Sequence, residues 1–436
     1  MAPTAVAAVQ KRTILTLVAT QAVGAMGITI GIATASLLAR DLSGSESMAG
    51  LSQTTQVLGA AVAAYVLGRV MDARGRRFGL LAGYLLGAAG GLLAVLAGVV
   101  GSMTLLLVGA LLLGATTAAN NGARYAATDL APARSRARAL SVVVWATTFG
   151  AVLGPNLTGV AEVFSDAVGI PVLTGPFAVG SIGMLAAALV VGAFLRPDPL
   201  LVARESAPVV ESAPVVESAP VVESAPVVES APVVEPVETT SWRRALVAIR
   251  DRPALAAAVV GQAAAHATMV AVMVMTPLHM EHGGAGLEVI GLVISGHVLG
   301  MFAFAPVAGW LADRVGRADV MALGGGVLLV ALVLCAAAPQ GSSGRIFAGL
   351  FLLGLGWSLA TIAAATSVAD HTPLEVRADV QGSADLIMGV AAAAAGAVSG
   401  VVVDAAGYPA LALGTILLVA VLFGAAYVAR RADRAA

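Results

Sequence analysis

The residues of this chain whose chemistry stands out are histidines and methionines that cluster in its second half. The chain has 436 residues and five histidines, and four of the histidines lie between positions 266 and 297. It has 13 methionines, of which four lie within residues 269–280. Imidazole nitrogen and thioether sulfur both bind metals, and the thioether is a soft, uncharged ligand that favours Cu(I). The cluster therefore predicts a site for a soft monovalent cation.

The spacing of four of these residues places them in pairs on two helices. Met269 and Met273 are four positions apart, as are His297 and Met301, so each pair shares a helix face. Counting from the helix midpoints at a rise of about 1.5 Å per residue gives Met269 and His297 a similar depth. We predict one ladder of four ligands. The neighbouring residues of the same types are predicted accessory ligands, the last three at the outer mouth: His266, Met275, His279, Met280 and His282.

The composition of the chain requires a membrane environment. Apolar residues make up 59% of it and charged residues 11%, and the mean hydropathy is +0.93. The net charge of −1 excludes a nucleic-acid binder, which needs a basic surface. The single cysteine, Cys335, excludes an intrachain disulfide scaffold. We therefore predict an integral membrane protein whose main partner is the lipid bilayer, and we expect it to be a monomer.

Twelve runs of about 20 mostly apolar residues are each long enough to cross a bilayer as a helix. The runs lie near 13–38, 48–70, 78–100, 103–126, 139–161, 174–195, 253–278, 287–312, 319–338, 346–369, 378–402 and 408–429. This pattern predicts an all-α membrane protein with twelve transmembrane helices in two pseudo-symmetric six-helix bundles. The predicted bundles are residues 1–195 and 253–436, and a linker at 196–252 joins them.

Basic residues indicate the orientation of these helices. All but three of the 24 lysines and arginines fall in the termini and the connections on one side; the exceptions are Arg40, Arg345 and Arg124. Because positive residues accumulate on the cytoplasmic side, we expect both termini and the linker to be cytoplasmic in a multi-pass protein of the cell (inner) membrane. Five SAPVVE repeats occupy 206–235 of the linker. Their regular prolines prevent a continuous helix, which predicts an acidic, solvated linker; the alternative is a docking tail.

An internal repeat relates the two halves. The segment GRVMDARGRR at 68–77 aligns with GWLADRVGR at 309–317 at an offset of 241 positions. The matched residues are Gly68, Asp72, Gly75 and Arg76 in the first half and Gly309, Asp313, Gly316 and Arg317 in the second. The positions 241 before the ladder residues hold no methionine or histidine. The ladder is therefore predicted to serve a function of one half alone.

The repeated segment, G-x-x-x-D-x-x-G-R, resembles the signature loop of the major facilitator superfamily of transporters. The twelve spans and the long central linker are similar to that family as well. The resemblance implies two bundles that rock around a central cavity, with these loops as a cytoplasmic gate. Asp72 is then expected to accept hydrogen bonds from arginines or helix N-termini of its own half, and Gly75 to permit a tight turn.

A second resemblance concerns the substrate. Met269 and Met273, followed by His297 and Met301, resemble the pattern of the CcoA-type copper importers of this superfamily. Those importers also use cysteines, whereas this chain has only Cys335. The resemblance implies copper as the substrate, moving inward, with no further cofactor. Relatives of the same group carry riboflavin, and GAVLGPNLTG at 150–159 resembles a motif of proton-coupled drug exporters. The alternative is therefore a proton-coupled transporter of organic solutes, either a drug exporter or a riboflavin-type vitamin importer.

One carboxylate lies where a charge is costly. Asp385 falls about two turns into the eleventh span, and an ionisable residue inside a membrane is a functional candidate. We predict that Asp385 takes part in proton coupling; the alternative is a structural hydrogen bond between helices. Arg124 and Asp129 near the end of the fourth span are a further candidate pair. No nucleotide-binding or hydrolase motif occurs in the sequence, so we do not expect an enzyme. A membrane sensor is disfavoured because it would not need two gate loops.

Overall fold

The computed structural model describes residues 3–44, 46–206, 241–285, 287–339 and 343–435. Within these ranges the chain forms sixteen α-helices and three short 3-10 turns and contains no strand. The predicted all-α architecture is confirmed. The SAPVVE repeats, apart from Ser206, lie outside the described residues, so their predicted role stays a prediction.

The first six predicted spans are all helical. Span five is divided between two helices, α5 and α6, because the backbone at Leu157 leaves the helical conformation (φ −85°, ψ 0°). The helices of this half are α1 (Pro3–Ser43), α2 (Glu46–Arg74), α3 (Arg76–Val100), α4 (Met103–Ala126), α5 (Arg136–Asn156), α6 (Thr158–Val168) and α7 (Gly175–Phe194). Two short helices, α8 (Pro199–Ser206) and α9 (Ser241–Arg250), lie within the predicted linker.

The last six predicted spans are helical as well. Span eight is divided into α11 and α12, and a break at Gly407 (φ 82°, ψ 168°) separates spans eleven and twelve. The helices are α10 (Pro253–His282), α11 (Leu287–Phe302), α12 (Ala305–Val315), α13 (Arg317–Ala336), α14 (Ser343–His371), α15 (Arg377–Gly414) and α16 (Ile416–Ala435). Nine helical segments of the described residues are long and apolar enough to cross a membrane, and the last of them, Leu374–Arg434, contains two predicted spans.

The two halves repeat one another in detail. Short 3-10 turns occur at Ala133–Ser135 and at Leu374–Val376, and each precedes a long helix, which begins at Arg136 or at Arg377. All of these positions differ by 241. Gly75 and Gly316 both have positive φ, +89° and +116°, a conformation that favours glycine. The tight turn that the sequence predicts at Gly75 is confirmed, and its counterpart repeats it.

Candidate functional site

Two equivalent sets of charged residues lie near Gly75 and Gly316, one set in each half. Arg76 donates to both oxygens of Asp129, at 2.8 and 3.1 Å, and both side chains are buried. Arg317 makes the equivalent bond to Asp370 at 3.0 Å. The prediction that Asp129 pairs with Arg124 is therefore wrong, because the guanidinium of Arg76 fills the position beside Asp129.

Each of these aspartates also faces an arginine of the other half. Arg136 of α5 donates to Asp370 at 2.7 Å, and Arg377 of α15 lies 3.9 Å from Asp129. The two contacts are equivalent under the internal repeat: in each, an arginine of one half lies beside an aspartate of the other half. These contacts hold α5 and α15 against the loops of the opposite bundle.

The gate carboxylates lie at helix N-termini of the opposite half. Asp313 accepts from the backbone amides of Ala137 and Arg138, at 3.1 and 3.0 Å, at the start of α5. Asp72 accepts a backbone hydrogen bond from Ala378 at the start of α15. A carboxylate is stabilised there by unpaired amides and by the positive end of the helix dipole. Asp72 was expected to bond to arginines or helix N-termini of its own half. The part about helix N-termini is wrong, because the helix N-terminus that Asp72 contacts belongs to the other half.

Arg204 is a gate residue that the sequence did not indicate. From α8 it donates to the carboxylate of Asp72 at 2.6 Å and to its carbonyl at 2.7 Å. It also donates to the carbonyls of Leu374 and Glu375, at 3.1 and 3.0 Å, in the other half. Its guanidinium therefore links the two bundles. No motif marks Arg204, because it has no counterpart in the repeat.

The motif glycines Gly68 and Gly309 lie where helices of the two halves cross. A Cβ at Gly68 would lie 2.9 Å from the carbonyl oxygen of Ala378 and 3.0 Å from Cα of Gly382. A Cβ at Gly309 would collide with the side chain of Ser141. Glycine is therefore required for α2 to approach α15 and for α12 to approach α5.

Deeper in the molecule, a buried ion pair crosses the interface. Arg124 of α4 donates to Asp385 of α15 at 2.6 Å, and both residues are about 5% exposed. Gln262 of α10 donates to the same carboxylate oxygen at 3.0 Å, and Tyr125 donates to Gln262 at 3.2 Å. Three helices from both halves therefore supply one polar network around Asp385.

The two predicted ladder residues of α11, His297 and Met301, lie beside α14. His297 is 1% exposed, and its Nδ1 lies 2.8 Å from the carbonyl oxygen of Leu350. Because a carbonyl only accepts, Nδ1 carries a proton, and in the neutral ring Nε2 keeps its lone pair. That Nε2 is buried without a described partner. Met301 is partly buried beside Gly354 of α14.

The α10 side of the ladder is packed into the core of the second half. Met269 is 6% exposed, and Met273 and Met275 are partly buried against the same core. The convergence of Met269 and His297 on one ion stays a prediction. Among the described residues, no group of three or more His, Cys, Asp or Glu side chains could hold a metal ion.

Two of the predicted outer-mouth residues are not exposed. His279 is stacked on Tyr408, with ring centroids 4.3 Å apart, and is 9% exposed. Met280 is 4% exposed and belongs to the core. Their prediction as ion-collecting residues at the mouth is wrong, because the break at Gly407 brings Tyr408 over this end of α10. His282 alone of the three is exposed.

Comparison with known proteins identifies the family. The sequence model of the Major Facilitator Superfamily matches residues 15–287 and 258–436. The chain belongs to the Major Facilitator Superfamily. It is a secondary transporter of that superfamily, with helices that are embedded in the membrane.

Among the relatives of this chain in the superfamily, some are named for a substrate and others are not. The chain is 34% identical over 408 residues to the uncharacterized MFS-type transporter YddS of Bacillus subtilis. The aligned part covers 94% of this chain and 88% of the relative. The chain is 27% identical over 380 residues to the riboflavin transporter RfnT of Brucella anthropi, covering 87% and 85%. The fold is shared with the fucose:proton symporter FucP of E. coli, at a TM-score of 0.64 and 18% identity over 95% and 97% of the chains.

Proposed function

We propose that this superfamily member couples the inward movement of a small organic solute to protons, with Asp385 as the proton-binding group. The observation that carries the proposal is the buried Arg124–Asp385 pair, which joins the two halves at 2.6 Å. The relative RfnT is named a riboflavin transporter, so riboflavin is the first substrate to test. The basic connections support cytoplasmic termini, with Asp72 and Asp313 on the cytoplasmic side.

Rocking of the halves would alternately make and break this ion pair. With the gate at Asp72 and Asp313 closed, as in this structure, a proton that enters from outside with the solute binds to the carboxylate of Asp385 and releases Arg124. An unpaired carboxylate in a membrane protein is costly, so Asp385 stays neutral while the halves rock. When the cytoplasmic side is open, the proton leaves to the cytoplasm, and the ionised carboxylate attracts Arg124 again as the gate closes. One turn of the cycle thus moves a proton inward together with the solute.

Uptake of radiolabelled riboflavin into membrane vesicles tests the proposal. An inward proton gradient should accelerate uptake by the parent protein. Asp385→Asn cannot bind and release a proton there, so it should lose the acceleration and keep exchange of riboflavin at equal pH. Asp319→Asn, which breaks the exposed Asp319–Arg430 pair, is the matched control and should behave like the parent. A parent protein that shows no gradient dependence, or an Asp385→Asn variant that keeps it, would overturn the proposal.

Copper is the second candidate substrate, and His297 is the observation that favours it. A metal-binding histidine usually donates its other ring N–H to a carbonyl, which fixes the tautomer. His297 has this arrangement with Leu350, and its Nε2 lone pair is buried with no described partner. Met301 follows one turn later on the same face. Met269 and Met273 would supply further thioethers from α10.

Copper accumulation in cells, measured by elemental analysis, tests this second candidate. His297→Leu and Met269→Leu should abolish accumulation at unchanged protein level, because they remove ligand atoms and nearly conserve volume. Met103→Leu, at the first residue of α4 in the other half, is the control. Accumulation at the level of the parent in both variants would exclude the ladder as a copper path.

A further inference from the structure

His266 has a defined tautomer that is opposite to that of His297. The indole N–H of Trp357 donates to Nδ1 of His266 at 2.9 Å. An indole nitrogen only donates, so Nδ1 carries no proton. The imidazole is therefore neutral, and its proton is on Nε2. Neither nitrogen then offers a free lone pair, which argues against the predicted accessory metal ligand at this position.

His266 is partly accessible, whereas the residues on either side of it in α10, 261–265 and 267–269, are buried. A partly accessible donor within a buried stretch of helix can reach a bound molecule. Gln262 lies one turn earlier on the same face of α10 and bonds to Asp385. His266 thus lies beside the proposed proton-coupling group.

Aromatic side chains cluster beside His266 although aromatic residues are only 4% of the chain. The ring centroids of His266 and Trp357 are 5.8 Å apart, and Phe302 meets Trp357 edge to face at 5.9 Å. His266 of α10, Trp357 of α14 and Phe302 of α11 therefore form one cluster of rings.

We propose that His266 and Trp357 form one wall of the substrate site and select a planar, uncharged heteroaromatic compound. The Nε2–H of His266 donates to a ring nitrogen or carbonyl of the substrate. The apolar ring faces around it bind the flat part of the same molecule. Trp357 acts through its indole N–H, which keeps the donor on Nε2. This inference rests on the proposed transport of an organic solute and specifies the class of that solute.

Equilibrium binding to the purified full-length protein at one pH tests the inference. The probes are riboflavin, lumichrome, which has the flavin ring without the ribityl chain, and ribitol, which has the chain without the ring. Riboflavin and lumichrome should bind to the parent protein and ribitol should not. His266→Leu should weaken the binding of both flavins by about tenfold, as expected for one lost hydrogen bond. His266→Gln retains an N–H donor and should lose less.

Two further variants separate a binding role from a structural one. Trp357→Phe keeps an aromatic ring but removes the indole N–H, so it should weaken flavin binding without loss of folded protein. Trp310→Phe, at an exposed tryptophan, should bind like the parent. Failure of the parent to bind either flavin would overturn the inference, as would unchanged binding in both His266→Leu and Trp357→Phe.

Equilibrium binding is measured without a proton gradient, so it tests the substrate site separately from the proposed proton coupling. If His266→Leu loses flavin binding while uptake by the parent ignores the gradient, the coupling proposal fails and the site stands. If uptake depends on the gradient but is identical in His266→Leu, the coupling stands and the site fails.

Discussion

Arg124 and Asp385 form an ion pair across the interface of the two halves, with 2.6 Å between guanidinium nitrogen and carboxylate oxygen and 261 positions between them in the chain. Each residue is nearly inaccessible to solvent. Neither charge would be stable at this place without the other, because a buried unpaired charge is costly. The contact between the halves and the charge state of Asp385 are therefore linked.

This linkage predicts a non-additive effect on stability. Arg124→Met should destabilise the folded protein by about 3–5 kcal/mol, because it leaves Asp385 buried and unpaired. The double variant Arg124→Met/Asp385→Leu removes both charges and should recover most of the loss. Thermal unfolding can be followed with a dye that reacts with Cys335, the single cysteine of the chain, which is buried until the protein unfolds. Equal melting temperatures of the single and double variants would contradict the prediction.

The gate carboxylates should control access to the interface. Asp313→Asn weakens the bonds to the N-terminus of α5, so this end of the bundles should open more often and transport should slow. Ser141→Cys in a Cys335→Ser background reports opening, because Ser141 is fully buried at the crossing with α12. A water-soluble maleimide should label it faster in Asp313→Asn. Asp72→Asn should slow transport as well, and unchanged labelling and transport would leave these carboxylates only a topological role.

The motif glycines predict a steric test of the same contact. Gly68→Ala and Gly309→Ala each place a methyl group against the opposite half, which should cost about 1–3 kcal/mol in the closed arrangement. Transport should fall in both variants. Gly326→Ala is the control, because no atom lies within 4 Å of a Cβ there. If all three variants transport equally, close approach at Gly68 and Gly309 is not needed.

Removal of the repeats should leave transport intact, provided that Arg204 is kept. Deletion of residues 207–235 removes repetitive segments whose regular prolines prevent a continuous helix. Arg204→Gln, in contrast, should slow transport because it removes the bonds that join Asp72 to the other half. Arg134→Gln, an exposed arginine at the same end, is the control. Loss of uptake in the deletion with normal membrane insertion would indicate a docking role for the repeats.

Much of the architecture could be predicted from the sequence because it depends on local, repeated signals. Apolar length locates the twelve helices, and the offset of 241 anticipates that Arg136 and Arg377 begin equivalent helices. The divisions of spans five and eight lie next to Pro155 and Pro306, and proline disfavours a continuous helix. The sequence therefore indicates a bend in each span, while the positions at which the helices end depend on packing. Gly75 could be assigned to its turn because few other residues adopt its backbone conformation.

The polar contacts were less predictable, because partners on different helices leave no spacing signal. Arg124 and Asp385 were both recognised as costly charges, but Asp129 is closer to Arg124 in sequence and was the wrong partner. The tautomers of His266 and His297 depend on Trp357 and on the carbonyl of Leu350, which only the fold brings near. The sequence identified these histidines as candidates for a site. Their hydrogen-bond partners in the fold determine which ring nitrogen donates and which accepts.

Proton movement measured with riboflavin transport tests the central claim most directly. The purified protein is placed in liposomes that contain a pH-sensitive dye, and riboflavin is added outside at equal pH. We predict that the parent protein acidifies the liposomes as riboflavin enters, and that Asp385→Asn exchanges riboflavin without acidification. Acidification by Asp385→Asn in the same ratio to riboflavin as in the parent would contradict the assignment of Asp385 as the proton-binding group.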